Sequence, residues 1–191
     1  WDVGGFQMEQ LQDRVSLEDY MTVMIDEAGH NLWRWGGSNM GYNLWNDINV
    51  NGNLYDVIKG QYTDRFFKTI RSHGGRIFFD ILGGGIGDFT ADLFRIGTVS
   101  EQLASQHYVR YVVARYAALV DFWELSNEQA LQDSLIDFLA DNIRQHDPYG
   151  HLISASWRRP DHNKVDINSP HWYGTYSSNN AASSAVNAIE N

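Results

Sequence analysis

The sequence predicts an α/β fold built on a parallel sheet, and three observations carry that expectation. Short apolar runs alternate along the chain with amphipathic stretches, in the order expected of βα units. Each apolar run leads into a loop rich in Gly, Asn, Trp or charge. No internal repeat, low-complexity tract or linker divides the 191 residues, a length that suits one domain with a sizeable core. A doubly wound sheet and a (β/α)8 barrel both fit this order.

The elements follow from local pattern. Ser16 offers an N-cap with acids in the first turn, and Leu17, Tyr20, Met21, Met24 and Ile25 recur at helical spacing until Gly29. HNLWRW, 30–35, reads as a strand closed by two glycines, and a Gly/Asn-rich loop follows to about Gly60. TDRFFKTIRS, 63–72, is amphipathic and stops at Gly74-Gly75. RIFFDIL, 76–82, is the next strand. Beyond a second glycine-rich loop come a helix over 100–119 with Ser100 as cap, a strand over 120–125, a helix over 129–146 and a strand over 151–157. A short strand within 165–173 and a helical stretch from Ala181 close the chain. Five strands are readable, with a partial sixth around residues 1–6. Barrels of this type run to roughly 250 residues, so on the barrel reading 1–191 is a single partial domain lacking its last units and part or all of its first strand.

Composition narrows the function. A net charge of −10 and a pI near 5.0 argue against nucleic acid and anionic membranes as partners. No uncharged apolar run is long enough to span a bilayer. Without cysteine there is neither a disulfide nor a thiolate metal site. His146, His151, His162 and His171 show no ligand spacing, so neither a metal nor another cofactor is expected. LGGGIGDF, 82–89, contains no G-x-G-x-x-G frame and reads as a cleft loop. No G-x-S-x-G elbow is present. An aromatic content of 14%, beside many Asn and Gly, suits both a core and the flat CH faces of sugars. Trp33 and Trp35 share a strand face opposite Arg34 and are expected in the core. Trp45, inside a Gly/Asn loop, is the better sugar platform, with Trp157 and Trp172 intermediate.

The stretch DFWELSNEQ, 121–129, sets Asn127 and Glu128 just past a strand, where parallel α/β folds place their chemistry. In isolation Glu128 would be a helix-start carboxylate favoured by the macrodipole. Its context is not isolated. Trp-Glu-Leu-Ser-Asn-Glu resembles the fourth-strand motif of clan A glycoside hydrolases, the retaining (β/α)8 enzymes that include cellulases and β-mannanases of family 5. AGHNLWRW is similar to their second-strand G-x-N-x-x-R signature, RSHGGRIFFDIL to the passage into strand three, DPYGHLISAS to the lead into strand five, and INSPHWYG to the sixth-strand His-x-Tyr. The resemblance runs from about Leu17 to Tyr176.

This resemblance implies an incomplete (β/α)8 barrel holding roughly strands two to six. It implies a hydrolase of β-linked poly- or oligosaccharides, with carbohydrate as partner and a secreted or periplasmic location. Glu128 takes the acid/base role, Asn127 contacts the sugar 2-hydroxyl, Arg34 lies near the nucleophile, His171 lines a subsite and Tyr173 partners the nucleophile. The nucleophile itself, a Glu ending strand seven, falls outside these residues, so the fragment alone is expected to be inactive. Asp80, Glu124 and Glu190 are poor substitutes; Glu124 suits a structural role inside the barrel, and Arg34 has the alternative role of a structural ion pair with Glu124 or Asp80. His171 and Tyr173 have the alternative role of half-buried lining. Two rival readings are a non-catalytic carbohydrate-binding barrel and a doubly wound protein binding a nucleotide or small acid. The oligomeric state is not legible.

Overall fold

The computed structural model describes residues 16–36, 57–82, 96–127, 131–155 and 161–169. Within them the order is α1 (Leu17–Met21) running into a π-helical turn (Thr22–Glu27), β1 (Leu32–Gly36), α2 (Val57–Ser72), β2 (Arg76–Asp80), α3 (Val99–Tyr116), β3 (Phe122–Glu124), α4 (Asp133–His146), β4 (Leu152–Ala155) and β5 (Ile167–Asn168). The five strands form one sheet in the order β1-β2-β3-β4-β5, every neighbouring pair parallel. All five strands expected from the sequence are present, each shorter than its apolar run. The partial strand near residues 1–6 and the helix from Ala181 lie outside the described residues.

Four boundaries differ from expectation. The first helix is capped by Ser16, whose hydroxyl accepts from the Asp19 amide at 3.1 Å, but it widens into the π turn after Met21. Met24 and Ile25, both within that turn, pack partly buried against the core. Helix α2 starts at Val57 and runs through Gly60. That glycine is a site of close approach: a Cβ there would meet the Arg115 guanidinium at 3.0 Å. Arg115 is itself clamped by Asp64 through Nε and Nη2, both 2.8 Å. Helix α3 is capped by Thr98, not Ser100, because only Thr98 has a glutamate three residues on. The Glu101 amide donates to Thr98 Oγ1 at 3.2 Å, and the Thr98 amide donates to Glu101 Oε2 at 2.8 Å. Helix α4 starts at Asp133, four residues later than expected.

Strand alternation sorts the sheet into two faces. Trp35, Phe79, Trp123 and Ile153 stand in one register row and meet the helices. Trp33 lies in the same layer, edge-on to Tyr20 and Phe66, so both tryptophans are core as expected. The helices answer at helical spacing, with Ile136, Leu139, Ala140 and Ile143 buried from α4 and Tyr108, Val109, Val112, Val113 and Tyr116 from α3. The two buried tyrosines satisfy their hydroxyls on backbone, Tyr108 donating to Ile81 O at 3.0 Å. Trp123 Nε1 donates to Asp147 Oδ2 at 3.1 Å, and the same oxygen accepts the His151 amide at 3.0 Å.

The N-terminal ends of the strands carry a repeated clamp. Asp121 enters β3 and accepts the Ile77 amide of β2 at 2.8 Å, while Arg71 and Arg76 bind its carboxylate at 2.9 and 2.8 Å. Asp166 enters β5 and accepts the Ile153 amide of β4 at 2.8 Å, with Arg144 at 2.9 Å. In both, an arginine from the last turn of a helix reaches the aspartate one strand further on. Burial works against ionised Asp121, but the Arg76 hydrogen bond, the Ile77 amide and the two arginine charges outweigh it, so its carboxyl lies below the usual value of 3.8. A folded-state value below the unfolded one means stability that is present above the unfolded value and lost as pH falls through the folded one. The thermal midpoint is therefore expected to drop on acidification below about pH 4. Asp121→Asn should be less stable near neutrality and lose less on acidification. Parallel midpoint-against-pH curves for the two proteins would remove Asp121 from this account.

Candidate active site

The other face of the sheet holds the polar constellation. Its lower row is Arg34, Phe78, Phe122 and Leu152; its upper row, at the C-terminal ends, is Gly36, Asp80, Glu124 and Ser154. Gly36 puts no side chain into the upper row, and the Arg34 guanidinium rises into that row from below. It passes over the Phe78 ring, 5.9 Å from its centroid, and Phe78 lies 4.8 Å from Phe122. The two rings of the lower row thus lie beneath a polar upper one.

Arg34 Nε donates to Glu124 Oε2 at 2.7 Å, and Nη2 lies 2.6 Å from the same oxygen. Nη2 also donates to Asn127 Oδ1 at 2.7 Å. Glu124 is fully buried, Asn127 is buried, and the Arg34 side chain is 16% exposed. Arginine has no acceptor, so the Asn127 atom turned toward it must be the amide oxygen. The amide's two N–H donors consequently face away from Arg34. Asp80 is fully buried beside Glu124 in register, and Ser154 shares a hydroxyl–hydroxyl bond with Ser169. Ser126, also fully buried, has an Oγ with no hydrogen-bond partner among the described residues.

Of the residues expected in a site, Arg34 and Asn127 are described and brought together. Glu128, Trp45, Trp157, His171, Trp172 and Tyr173 lie outside the described residues. The alternative role for Arg34, an ion pair with Glu124, is present as well, and the same guanidinium makes both contacts. Ser126, Ser154 and Ser169 were not singled out by sequence; small hydroxyls at strand ends carry no distinguishing pattern, although their place at the sheet's C-terminal edge was available. Among the described residues no group of His, Asp and Glu side chains is arranged to hold a metal ion, and no helix is long and apolar enough to cross a membrane. Chemically, the cluster can orient and donate to neutral oxygen atoms. Among the described residues Glu124 occupies the guanidinium and Asp80 stands in the same row, which disfavours an anion beside them.

The sheet and its helices are part of a (β/α)8 barrel, the fold of clan A glycoside hydrolases. No family model matches the sequence, and no curated protein sequence matches it. Among solved structures the chain is similar to an endo-1,4-β-mannanase from Rhizomucor miehei, at 13% identity and a TM-score of 0.60, covering 91% of this chain and 70% of that one. It is similar to an exo-β-1,4-mannosidase from an Opitutaceae bacterium, at 18% identity and 0.58, covering 80% of this chain and 30% of that one. A family 5 glycoside hydrolase from Bacteroides vulgatus matches at 20% identity and 0.52, over 79% of this chain and 35% of that one. The chain thus spans about a third of the length of the latter two. At these identities the likeness is one of fold.

Proposed function

We propose that residues 1–191 are one partial catalytic domain of a retaining glycoside hydrolase acting on a β-linked poly- or oligosaccharide. The observation that carries this reading is the 2.7 Å hydrogen bond from Arg34 to Asn127. These residues come from two separate motifs, 93 positions apart, whose family resemblance assigns both to one sugar site. They meet at the C-terminal edge of a parallel sheet, with the asparagine's donors turned away from the arginine. Glu128, next in the chain, protonates the leaving glycosidic oxygen and then takes a proton from water. The nucleophile is a second Glu outside residues 1–191, about 5–5.5 Å from Glu128 in the assembled barrel. His171 and Tyr173 line the subsite and steady that nucleophile. Trp45, Trp157 and Trp172 offer stacking faces. The occupied guanidinium counts against a nucleotide or small acid as ligand.

The test is the natural reading frame that contains these residues, expressed whole and offered mannan, glucan and xylan oligosaccharides under proton NMR. Hydrolysis releasing the β-anomer first is expected, and the 191-residue chain alone is expected to give none. Binding without hydrolysis would replace this reading with the carbohydrate-binding barrel. Stabilisation by nucleotides with no response to any saccharide would sink both.

A further inference from the structure

We propose that Glu124 is a positioning residue that sets the amide of Asn127 through Arg34; the inference rests on the sugar-site reading above. A side-chain amide has two orientations of similar intrinsic energy, exchanging an acceptor for two donors at the same place. Something must choose between them if Asn127 is to present donors to a ligand oxygen. Arg34 chooses, because its Nη2 accepts no hydrogen bond and holds Oδ1 at 2.7 Å. Arg34 in turn needs a fixed guanidinium plane. That plane is set by Glu124 Oε2, which receives Nε at 2.7 Å and lies 2.6 Å from Nη2. The Phe78 ring supports the guanidinium below.

Glu124 itself is fully buried, in register between Asp80 and Ser154. A carboxylate so enclosed and so engaged acts on a ligand through its neighbour. Shortening or neutralising it removes the Oε2 contact that orients Nε and Nη2, and with it the geometry of the bond from Nη2 to Asn127 Oδ1. Sequence alternation predicts only that Glu124 points into the barrel; the chain Glu124–Arg34–Asn127 exists because β1 and β3 flank β2 and Arg34 is long enough to cross it.

Glu124→Asp and Glu124→Gln are the variants, alone and combined with Asn127→Ala. The first readout needs no activity: in the 15N-labelled chain, the Arg34 Nε–H and the Asn127 side-chain amide resonances should lose their exchange protection in Glu124→Asp. The second is kinetic, in the complete reading frame. Either variant is expected to lower kcat/KM about tenfold to a hundredfold, mainly in kcat, in a protein that stays folded but has a lower thermal midpoint, because the Arg34 charge loses part of its buried partner. Added to Asn127→Ala, either should cause much less than its single-variant loss, the remainder being what Arg34 contributes beside the nucleophile. Multiplicative losses, or Arg34 and Asn127 signals unmoved by Glu124→Asp, would overturn the proposal. So would loss of the fold in both variants, which would make Glu124 a scaffold residue. If the wild-type protein hydrolyses nothing, the functional reading fails while the resonance readout still decides the role of Glu124.

Discussion

Replacing Glu128 with Gln in the complete reading frame is expected to lower turnover of natural β-glycosides by roughly 10²–10⁴-fold. The span is what a positioned proton donor contributes when the leaving group is a sugar alkoxide, which departs poorly unless protonated. Aryl glycosides with acidic phenols leave without that proton, so their first step should be nearly unaffected and the glycosyl-enzyme should accumulate. The pH profile on natural substrates should lose its basic limb, since that limb reports the acid. Equal losses in kcat/KM, which reports the first step, on both substrate types would show that Glu128 does not act as the acid and that its removal simply disturbs the site. The helix-start alternative predicts something else, a modest stability change with no leaving-group dependence.

Phe67→Ala is expected to cost about 3–5 kcal/mol in stability. Phe67 is fully buried on α2, and four rings surround it: Trp35 at 6.2 Å, Phe66 at 6.5 Å, Phe79 at 5.4 Å and Tyr116 at 5.3 Å between centroids. Most meet it edge-on, the arrangement that the ring quadrupole favours. The rings come from two strands and two helices, each fixed by its own backbone bonds, so the cavity left behind collapses poorly. For a chain of this length the thermal midpoint should fall on the order of 10 °C. Val23→Ala, at a half-exposed position of the π turn, should stay within about 0.5 kcal/mol. A similar small change for Phe67→Ala would mean that this aromatic cluster is not the centre of the core.

The order of elements was legible because strands and helices differ in the period of their apolar residues. RIFFDIL and TDRFFKTIRS can hardly be exchanged. Boundaries were less legible, for identifiable reasons. Gly60 looked like punctuation because a glycine that opens a turn and one that admits a neighbouring guanidinium look the same in one dimension. Thr98 carried a capping box in plain sight, beside a Ser that competed for the same role. Gln132 makes no side-chain cap, so the true start of α4 left little mark.

In the site, Arg34 and Asn127 were found through motifs that resemble a known family, and Trp33 and Trp35 were assigned to the core by alternation alone. Glu124 was recognised as an inward carboxylate, and an ion pair with Arg34 was one of two options for that arginine. What stayed hidden was that the guanidinium paired with Glu124 also reaches Asn127. The sequence by itself determined the alternating pattern, the two faces of each strand and the polar residues at the strand ends, because these follow from local periodicity. Only the tertiary structure decided which of those residues meet. The register of three parallel strands places Gly36, Asp80 and Glu124 in one row, and a gap at the glycine lets one guanidinium reach both a buried carboxylate and an amide 93 positions from it.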